Sequence, residues 1–174
     1  ASLASGDLNT DGRTDLVVGA YGYSSSTGRA YIFYNDGSIP TTAATADVTI
    51  TGNATGDSFG VSLTTGDLDT SSTTDLIVGA TGYTSSTGRA YIFYNDGSIP
   101  TTAGTADVTL TGEATSDSYG TALAVGDLNA DGKSDLLVGA TGYSSSKGRA
   151  YIYTMNDGVI TGASTNNRLG WALA

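Results

Sequence analysis

The chain has 174 residues, with 25 Gly, 2 Pro, 16 Asp against a single Glu, five Arg, two Lys, and neither His nor Cys. That length suits one ordinary domain, and glycine at about twice its average usage, with abundant Ser, Thr and Tyr, reads as strands and tight turns rather than helices. The missing His and Cys exclude thiol nucleophiles, Ser–His triads, zinc sites and disulfides, and a net charge of −10 without a basic cluster argues against nucleic acid or an anionic membrane and for cations as the counterpart.

From the N-terminus, Ala1-Ser2-Leu3-Ala4 reads as the end of a strand. A nine-residue acidic loop follows, Asp7-Leu-Asn-Thr-Asp-Gly-Arg-Thr-Asp15, and then an apolar run ending in Gly19-Ala20. Sixty residues on, the same features return: Gly6-Asp7-Leu8 recurs as Gly66-Asp67-Leu68 and again as Gly126-Asp127-Leu128. Tyr21 to Pro40 matches Thr81 to Pro100 at 18 of 20 positions. Internal repetition at this period decides the architecture.

The middle copy shows the unit whole. Phe59-Gly-Val-Ser-Leu63 reads as a short buried strand, and the acidic loop Asp67–Asp75 leads into Asp75-Leu-Ile-Val-Gly79, an apolar run suited to a strand covered on both faces. After a Ser/Thr/Gly loop, Arg89-Ala-Tyr-Ile-Phe-Tyr94 carries aromatic and β-branched residues, Asn95-Asp96-Gly97 is a turn signal, and Asp107-Val-Thr-Leu-Thr111 supplies a fourth strand. Four antiparallel strands per repeat, none able to bury its own faces, predict an all-β protein: a β-propeller with three four-stranded blades, about 1–58, 59–118 and 119–168.

The third copy differs at its end, where Thr154-Met155 adds a residue and the connection shortens. Leu169-Gly-Trp-Ala-Leu-Ala174 corresponds to Phe59–Thr64, a spare first strand. Because propellers have roughly 4–8 blades, three call for completion. Two chains making a six-bladed ring, each giving its last strand 169–174 to the other, is one expectation. A fragment of a longer propeller and open head-to-tail assembly through that strand are the others.

Nine of the 16 Asp fall in the three loops. Oxygen-bearing side chains stand at positions 1, 3, 5 and 9, with a bend at 6 and a carbonyl available at 7, which makes a cage for a hard cation. Calcium suits it better than magnesium, because mixed ligands on a flexible loop tolerate its longer bonds. In the second loop Ser71 and Ser72 replace the position-5 Asp and position-6 Gly, while Asp69 replaces Asn; each loop therefore keeps three carboxylates. The competing reading is that these are Asx-rich turns, which Asp, Asn and Gly form for backbone reasons alone. Three copies in one register, with little Lys or Arg nearby, favour the metal.

Phe59-Gly-Val-Ser-Leu63, the Asp-x-Asn-x-Asp-Gly-x-x-Asp loops and the Gly-Ala that follows resemble the FG-GAP repeats of integrin α-chain propellers and their bacterial and fungal relatives. Tyr21, Thr81 and Thr141 stand where Gly-Ala-Pro would carry its proline. The resemblance implies a loop between the first and second strands of each blade that holds Ca2+. Its ligands would be Asp7, Asn9, Asp11, the Arg13 carbonyl and Asp15, with Asp67, Asp69, Ser71, Thr73 and Asp75, and Asp127, Asn129, Asp131, Lys133 and Asp135, as their equivalents.

The expected function is a calcium-binding adhesion or scaffold module, with no enzyme activity, since Glu113 is the lone Glu and no Asp pair stands outside the loops. Calcium affinities of ~10⁻⁴–10⁻³ M are typical of extracellular modules, which gives an extracellular address. Expected partners are a second copy of the chain and a protein or glycan ligand, without nucleic acid or membrane insertion. A carbohydrate-binding lectin of the FG-GAP type is the alternative, with Tyr23, Tyr83 and Tyr143 as stacking platforms or interface packing; a designed, consensus-like repeat without natural ligand is a third. Arg29, Arg89 and Arg149, at one repeated position, are expected to pair with acids of the adjacent blade or to offer donors to a ligand.

Overall fold

The computed structural model describes residues 1–40, 42–156 and 159–165, those beyond residue 154 by their backbone alone. Each repeat folds into one antiparallel sheet whose strands lie in chain order. The first sheet holds β1 (Ser2–Gly6), β2 (Asp15–Ala20), β3 (Arg29–Phe33) and β4 (Val48–Thr51). The second holds β5 (Phe59–Gly66), β6 (Asp75–Ala80), β7 (Arg89–Phe93) and β8 (Val108–Thr111), and the third β9 (Tyr119–Gly126), β10 (Asp135–Ala140), β11 (Arg149–Asn156) and β12 (Val159–Thr165). These are three blades of a β-propeller. The C-terminal strand expected at 169–174 lies outside the described residues.

Two boundaries move relative to the sequence reading. The first strand of the second blade runs to Gly66, because its pairing with β6 continues from Ser62↔Gly79 down to Gly66↔Asp75 after an irregularity beside Phe59. The fourth begins at Val108: Asp107 turns its side chain back, and its Oδ2 accepts the Tyr94 amide at 2.9 Å.

Burial along the second strands follows directly from stacking. All six residues of β6 are buried, whereas β2 alternates buried and half-buried. The middle blade is covered on both faces and the first on one. Val17, Ala30, Ile32 and Ile50 of the first blade pack into one cluster with Phe59, Leu76, Val78, Tyr91 and Phe93 of the second. The opposite face of the second blade, Ile77, Ala90 and Ile92, packs in turn on Tyr119, Leu136, Val138 and Tyr151 of the third.

Between blades the backbones themselves touch. Tyr23–Ser26 forms one tight coil in which Ser24, Ser25 and Ser26 hold left-handed φ values of 48, 55 and 62°. Such torsions are uncommon outside glycine. The coil closes with the Gly28 amide donating to the Tyr23 carbonyl at 3.0 Å. This carries Gly28, φ +81°, into a parallel bridge with Phe59 of the next blade, and Gly88 bridges Tyr119 in the same way. Deeper in, Ser2 Oγ donates to the Gly60 carbonyl at 2.8 Å and Ser62 Oγ to that of Gly120 at 2.5 Å.

Phe59 sits at the centre of the first seam, fully buried, edge-on to Tyr91 at 5.4 Å and to Phe93 at 6.4 Å between ring centroids. Phe59→Ala removes these contacts and leaves a cavity, so it is expected to cost about 3–5 kcal/mol in urea melts. A loss below about 1 kcal/mol would mean that the seam is not packed as described.

Candidate metal centres

Each nine-residue loop joins the first two strands of its blade, and its last residue is the first residue of the second strand. Asp15, Asp75 and Asp135 are buried there, at 1, 0 and 0% exposure. Their carboxylates act as clasps. Asp15 Oδ2 accepts the Leu8 amide and Oδ1 the Asn35 amide, both at 2.8 Å. Asp75 repeats this with Leu68 at 2.7 Å and Asn95 at 2.9 Å. Asp135 Oδ2 accepts Leu128 at 2.9 Å, but its buried Oδ1 has no hydrogen-bond partner. The extra residue after Tyr153 is the reason. In the third blade β11 continues through Asn156 paired with β12, so no equivalent of the Asn35 amide turns back toward the acid.

The position-1 acids organise the bend. Asp7 accepts the amides of Asp11 and Gly12 at 3.1 and 2.9 Å, and Asp127 those of Asp131 and Gly132 at 3.2 and 2.9 Å. At position 3, Asn9 and Asn129 accept the Asp11 and Asp131 amides, while the position-5 acids accept those of Arg13 and Lys133 at 2.8 and 2.9 Å. Asx-turn bonds thus shape both of these loops.

The second loop keeps that shape without glycine. Ser72 adopts φ +69°, close to the +83° of Gly12 and +84° of Gly132, and its amide still reaches Asp67 Oδ2 at 3.0 Å. The exchange at positions 3 and 5 changes the chemistry instead. Asp69 accepts the Ser71 amide at 2.9 Å, and the hydroxyls of Ser71 and Thr73 lie 2.6 Å apart. Carboxylate oxygens of Asp67, Asp69 and Asp75 come within 4.8 Å of one another, the one such acidic group among the described residues. Asp67 Oδ1 is buried there without a partner.

Burial pushes the Asp75 carboxyl up to about 6 against the pull of the Asn95 and Leu68 amides, and the charges of Asp69 and Asp67 add to the rise. An oxygen-only donor set, a buried carboxylate oxygen with nothing to bond, and mutual repulsion are what a hard divalent cation relieves. The residues present therefore fit calcium. In the first and third loops the position-5 carboxylate is engaged by the position-7 amide and the neighbouring Asn side chain.

The sequence reading missed the amide clasps. Their signal is the repeated Tyr-Asn-Asp-Gly after the third strand, which returns Asn35 and Asn95 to the acids of the second. Asn95 also reaches across the seam: its Nδ2 donates to the Leu8 carbonyl of the first loop at 3.0 Å. At the opposite end of the blades, Arg29, Arg89 and Arg149 lie over the rings of Tyr23, Tyr83 and Tyr143 at 3.8, 3.6 and 3.6 Å. Arg149 also pairs at 2.7 Å with Glu113, which follows the last strand of the preceding blade. That contact meets the expectation of cross-blade pairing for Arg149, whereas Arg89 Nε donates to Thr111 Oγ1 of its own blade at 2.9 Å.

The FG-GAP repeat family matches residues 1–33 and 119–153. The unmatched stretch includes the loop carrying Ser71-Ser72. Integrin alpha-PS2 of Drosophila melanogaster is 31% identical over 162 residues, covering 87% of this chain and 11% of that protein. Phosphatidylinositol-glycan-specific phospholipase D of Rattus norvegicus is 34% identical over 151 residues, covering 78% of this chain and 18% of the enzyme. The Homo sapiens phospholipase is 38% identical over 112 residues, or 55% of this chain. The chain thus spans less than a fifth of each of these three relatives.

Proposed function

This is an FG-GAP repeat chain, and from that premise we propose that it works as a calcium-stabilised propeller module for adhesion or scaffolding outside the cell, without enzymatic activity of its own. One observation carries the metal part: acidic oxygens converge at half-buried Asp67 and Asp69 and buried Asp75, with the buried Asp67 Oδ1 unbonded. In the second loop Asp67, Asp69, Ser71, the Thr73 carbonyl and Asp75 would hold the ion. Asp7, Asn9, Asp11, Arg13 and Asp15, and Asp127, Asn129, Asp131, Lys133 and Asp135, would do so in the other two.

Bound calcium supplies positive charge and oxygen coordination. The chain's own residues do the rest. The position-9 acid ties the loop to the second strand and to the turn after the third, and Asn95 links that turn to the loop of the preceding blade. Order in a loop therefore passes to two blades. Loops of this kind fill at ~10⁻⁴–10⁻³ M calcium, a concentration met outside cells.

The relatives include a phospholipase by name, yet the matched part is 18% of the rat enzyme, and this chain has no His or Cys and a single Glu. A lectin role is disfavoured at Tyr23, Tyr83 and Tyr143, because each ring already carries a guanidinium on one face. Calorimetric titration of the chelator-treated chain is the test, with up to three calcium ions per chain expected. Asp67→Asn with Asp75→Asn should remove one of them. No heat and no binding at about 10 mM calcium, ten times the weak end of the range, would overturn the metal reading. Saturable binding on a glycan array would replace the scaffold reading by the lectin one.

A further inference from the structure

The two seams inside the chain differ in charge where the last strand of one blade hands over to the next. Thr51-Gly-Asn-Ala-Thr55 leaves the first blade as Thr111-Gly-Glu-Ala-Thr115 leaves the second, so Asn53 stands where Glu113 does. We propose that the seam between the first and second blades is a binding site for an external carboxylate, held by Arg89, Tyr91 and Asn53.

The second seam shows the same receptor filled from within. Glu113 Oε1 accepts a hydrogen bond from Arg149 Nη1 at 2.7 Å and another from the Tyr151 hydroxyl at 3.0 Å. The arginine side chain is 11% exposed and the glutamate side chain 51%, so the acid enters from the solvent side. In the first seam the receptor is repeated without the acid. Arg89 lies 3.6 Å over the Tyr83 ring and 5.7 Å from that of Tyr91, the same distances that Arg149 keeps to Tyr143 and Tyr151. Thr111 Oγ1 accepts from its Nε at 2.9 Å and fixes the plane of the guanidinium. The Tyr91 hydroxyl meets Asn53 Nδ2 at 3.4 Å, an amide in the place of a carboxylate. Among the described residues no acid lies within ion-pair distance of Arg89.

Asp57 acts on Arg89 from further off. It is buried, and its Oδ2 accepts the Ala54 amide at 3.1 Å. The equivalent Asp117 takes the Ala114 amide at 2.8 Å in the same way, and Arg149 binds Glu113 nonetheless. A resident acid at this position therefore leaves the guanidinium able to take a second one.

Guanidinium, phenol and primary amide together offer N–H and O–H donors to the two oxygens of one carboxylate. Stacking on Tyr83 and the bond to Thr111 hold the guanidinium in place beforehand, so less freedom is lost when the ligand arrives. An acidic side chain on a partner polypeptide and a small free carboxylate share this chemistry. The site lies at the end of the blades away from the acidic loops, so it stands whether or not calcium binds.

The test is a titration of the ¹⁵N-labelled chain, with and without calcium and at constant ionic strength, followed through the side-chain N–H signals of Asn53 and Arg89. The probes are sodium acetate and a blocked Gly-Glu-Gly peptide, with Gly-Gln-Gly as the neutral control. Saturable shifts with midpoints on the order of 10⁻³–10⁻² M are expected for ligands this small, and none from the neutral peptide. Asn53→Glu supplies the acid from within and should abolish the shifts at Arg89. Asn53→Gln, equally long but uncharged, should keep them. Position 53 is exposed, and unchanged circular dichroism and melting would confirm that both variants fold. Arg89→Lys loses the planar fork and should weaken binding by about tenfold. A wild-type chain without saturable shifts at Asn53 and Arg89 would overturn the proposal, as would binding that survives Asn53→Glu. Loss in both position-53 variants would also overturn it, because side-chain length rather than charge would then close the cleft. Tighter binding of the peptide than of acetate assigns the site to acidic side chains and equal binding assigns it to free carboxylates, each upholding the carboxylate site.

Discussion

Adding about 10 mM calcium to the chelator-treated chain is expected to raise its Tm by on the order of 10 °C or more. The estimate follows from linkage. An ion that binds the folded loops at ~10⁻⁴–10⁻³ M and the unfolded chain negligibly contributes roughly 1.4–2.7 kcal/mol per site at that concentration. For a chain of this size each kcal/mol moves Tm by about 2–4 °C, so two or three occupied loops suffice. The source of the effect is the crowding of acids: Asp75 is held up to about 6 by burial and by the charges of Asp69 and Asp67. Asp75→Asn should lower the calcium-induced shift by the share of one site. Coincident melting curves in calcium and in chelator would remove the metal from the account of stability altogether.

Gly88→Ala is expected to destabilise the calcium-saturated chain by roughly 2–5 kcal/mol. One part is backbone strain, because Gly88 holds φ +81°, a left-handed torsion that costs an L-residue about 1–2 kcal/mol. The larger part is collision. A Cβ on Gly88 would fall inside contact distance of the Tyr119 carbonyl oxygen and of its amide nitrogen, and backbone on the receiving blade has no rotamer by which to move aside. Overpacking of this kind costs about 1–3 kcal/mol or more. Gly56 is the control. It holds φ +87° with nothing within 4 Å of its would-be Cβ, so Gly56→Ala should lose only the torsional part. Equal losses at the two positions in urea melts would show that the approach of the blades does not require glycine at 88.

The sequence made the blades legible because each strand carries its own pattern: β6 is apolar throughout and is buried throughout, and Asn95-Asp96-Gly97 marks the turn after β7. The loop residues were legible through their spacing. Ser72 was harder, since serine in place of glycine casts doubt on the bend, yet it takes the same left-handed torsion at φ +69° because Asp67 holds its amide. The role of Asp15 and Asp75 as clasps depends on Asn35 and Asn95, twenty residues further along, and no local pattern shows which amide a carboxylate will meet. The Arg–Tyr stacks were hidden for a related reason. The pairs Arg29–Tyr23 and Arg89–Tyr83 are six residues apart across a coil of left-handed Ser and Thr, a conformation that composition alone argues against. Unequal exposure at equivalent positions, Leu3 at 67% against Leu63 at 8% and Leu128 at 53% against Leu68 at 0%, is a property of neighbours, so identical motifs give no hint of it.

Because the seam joins Gly28 of the first repeat to Phe59 of the second and Gly88 of the second to Tyr119 of the third in the same way, a whole repeat can be copied or removed without altering the fit between those that remain. Gene duplication in steps of one blade therefore leaves each junction with the geometry it already had, whereas a gain or loss of a few residues puts bridging backbones out of phase. Length in such a chain should change by whole modules, and its shape is inherited at the boundaries more than within them.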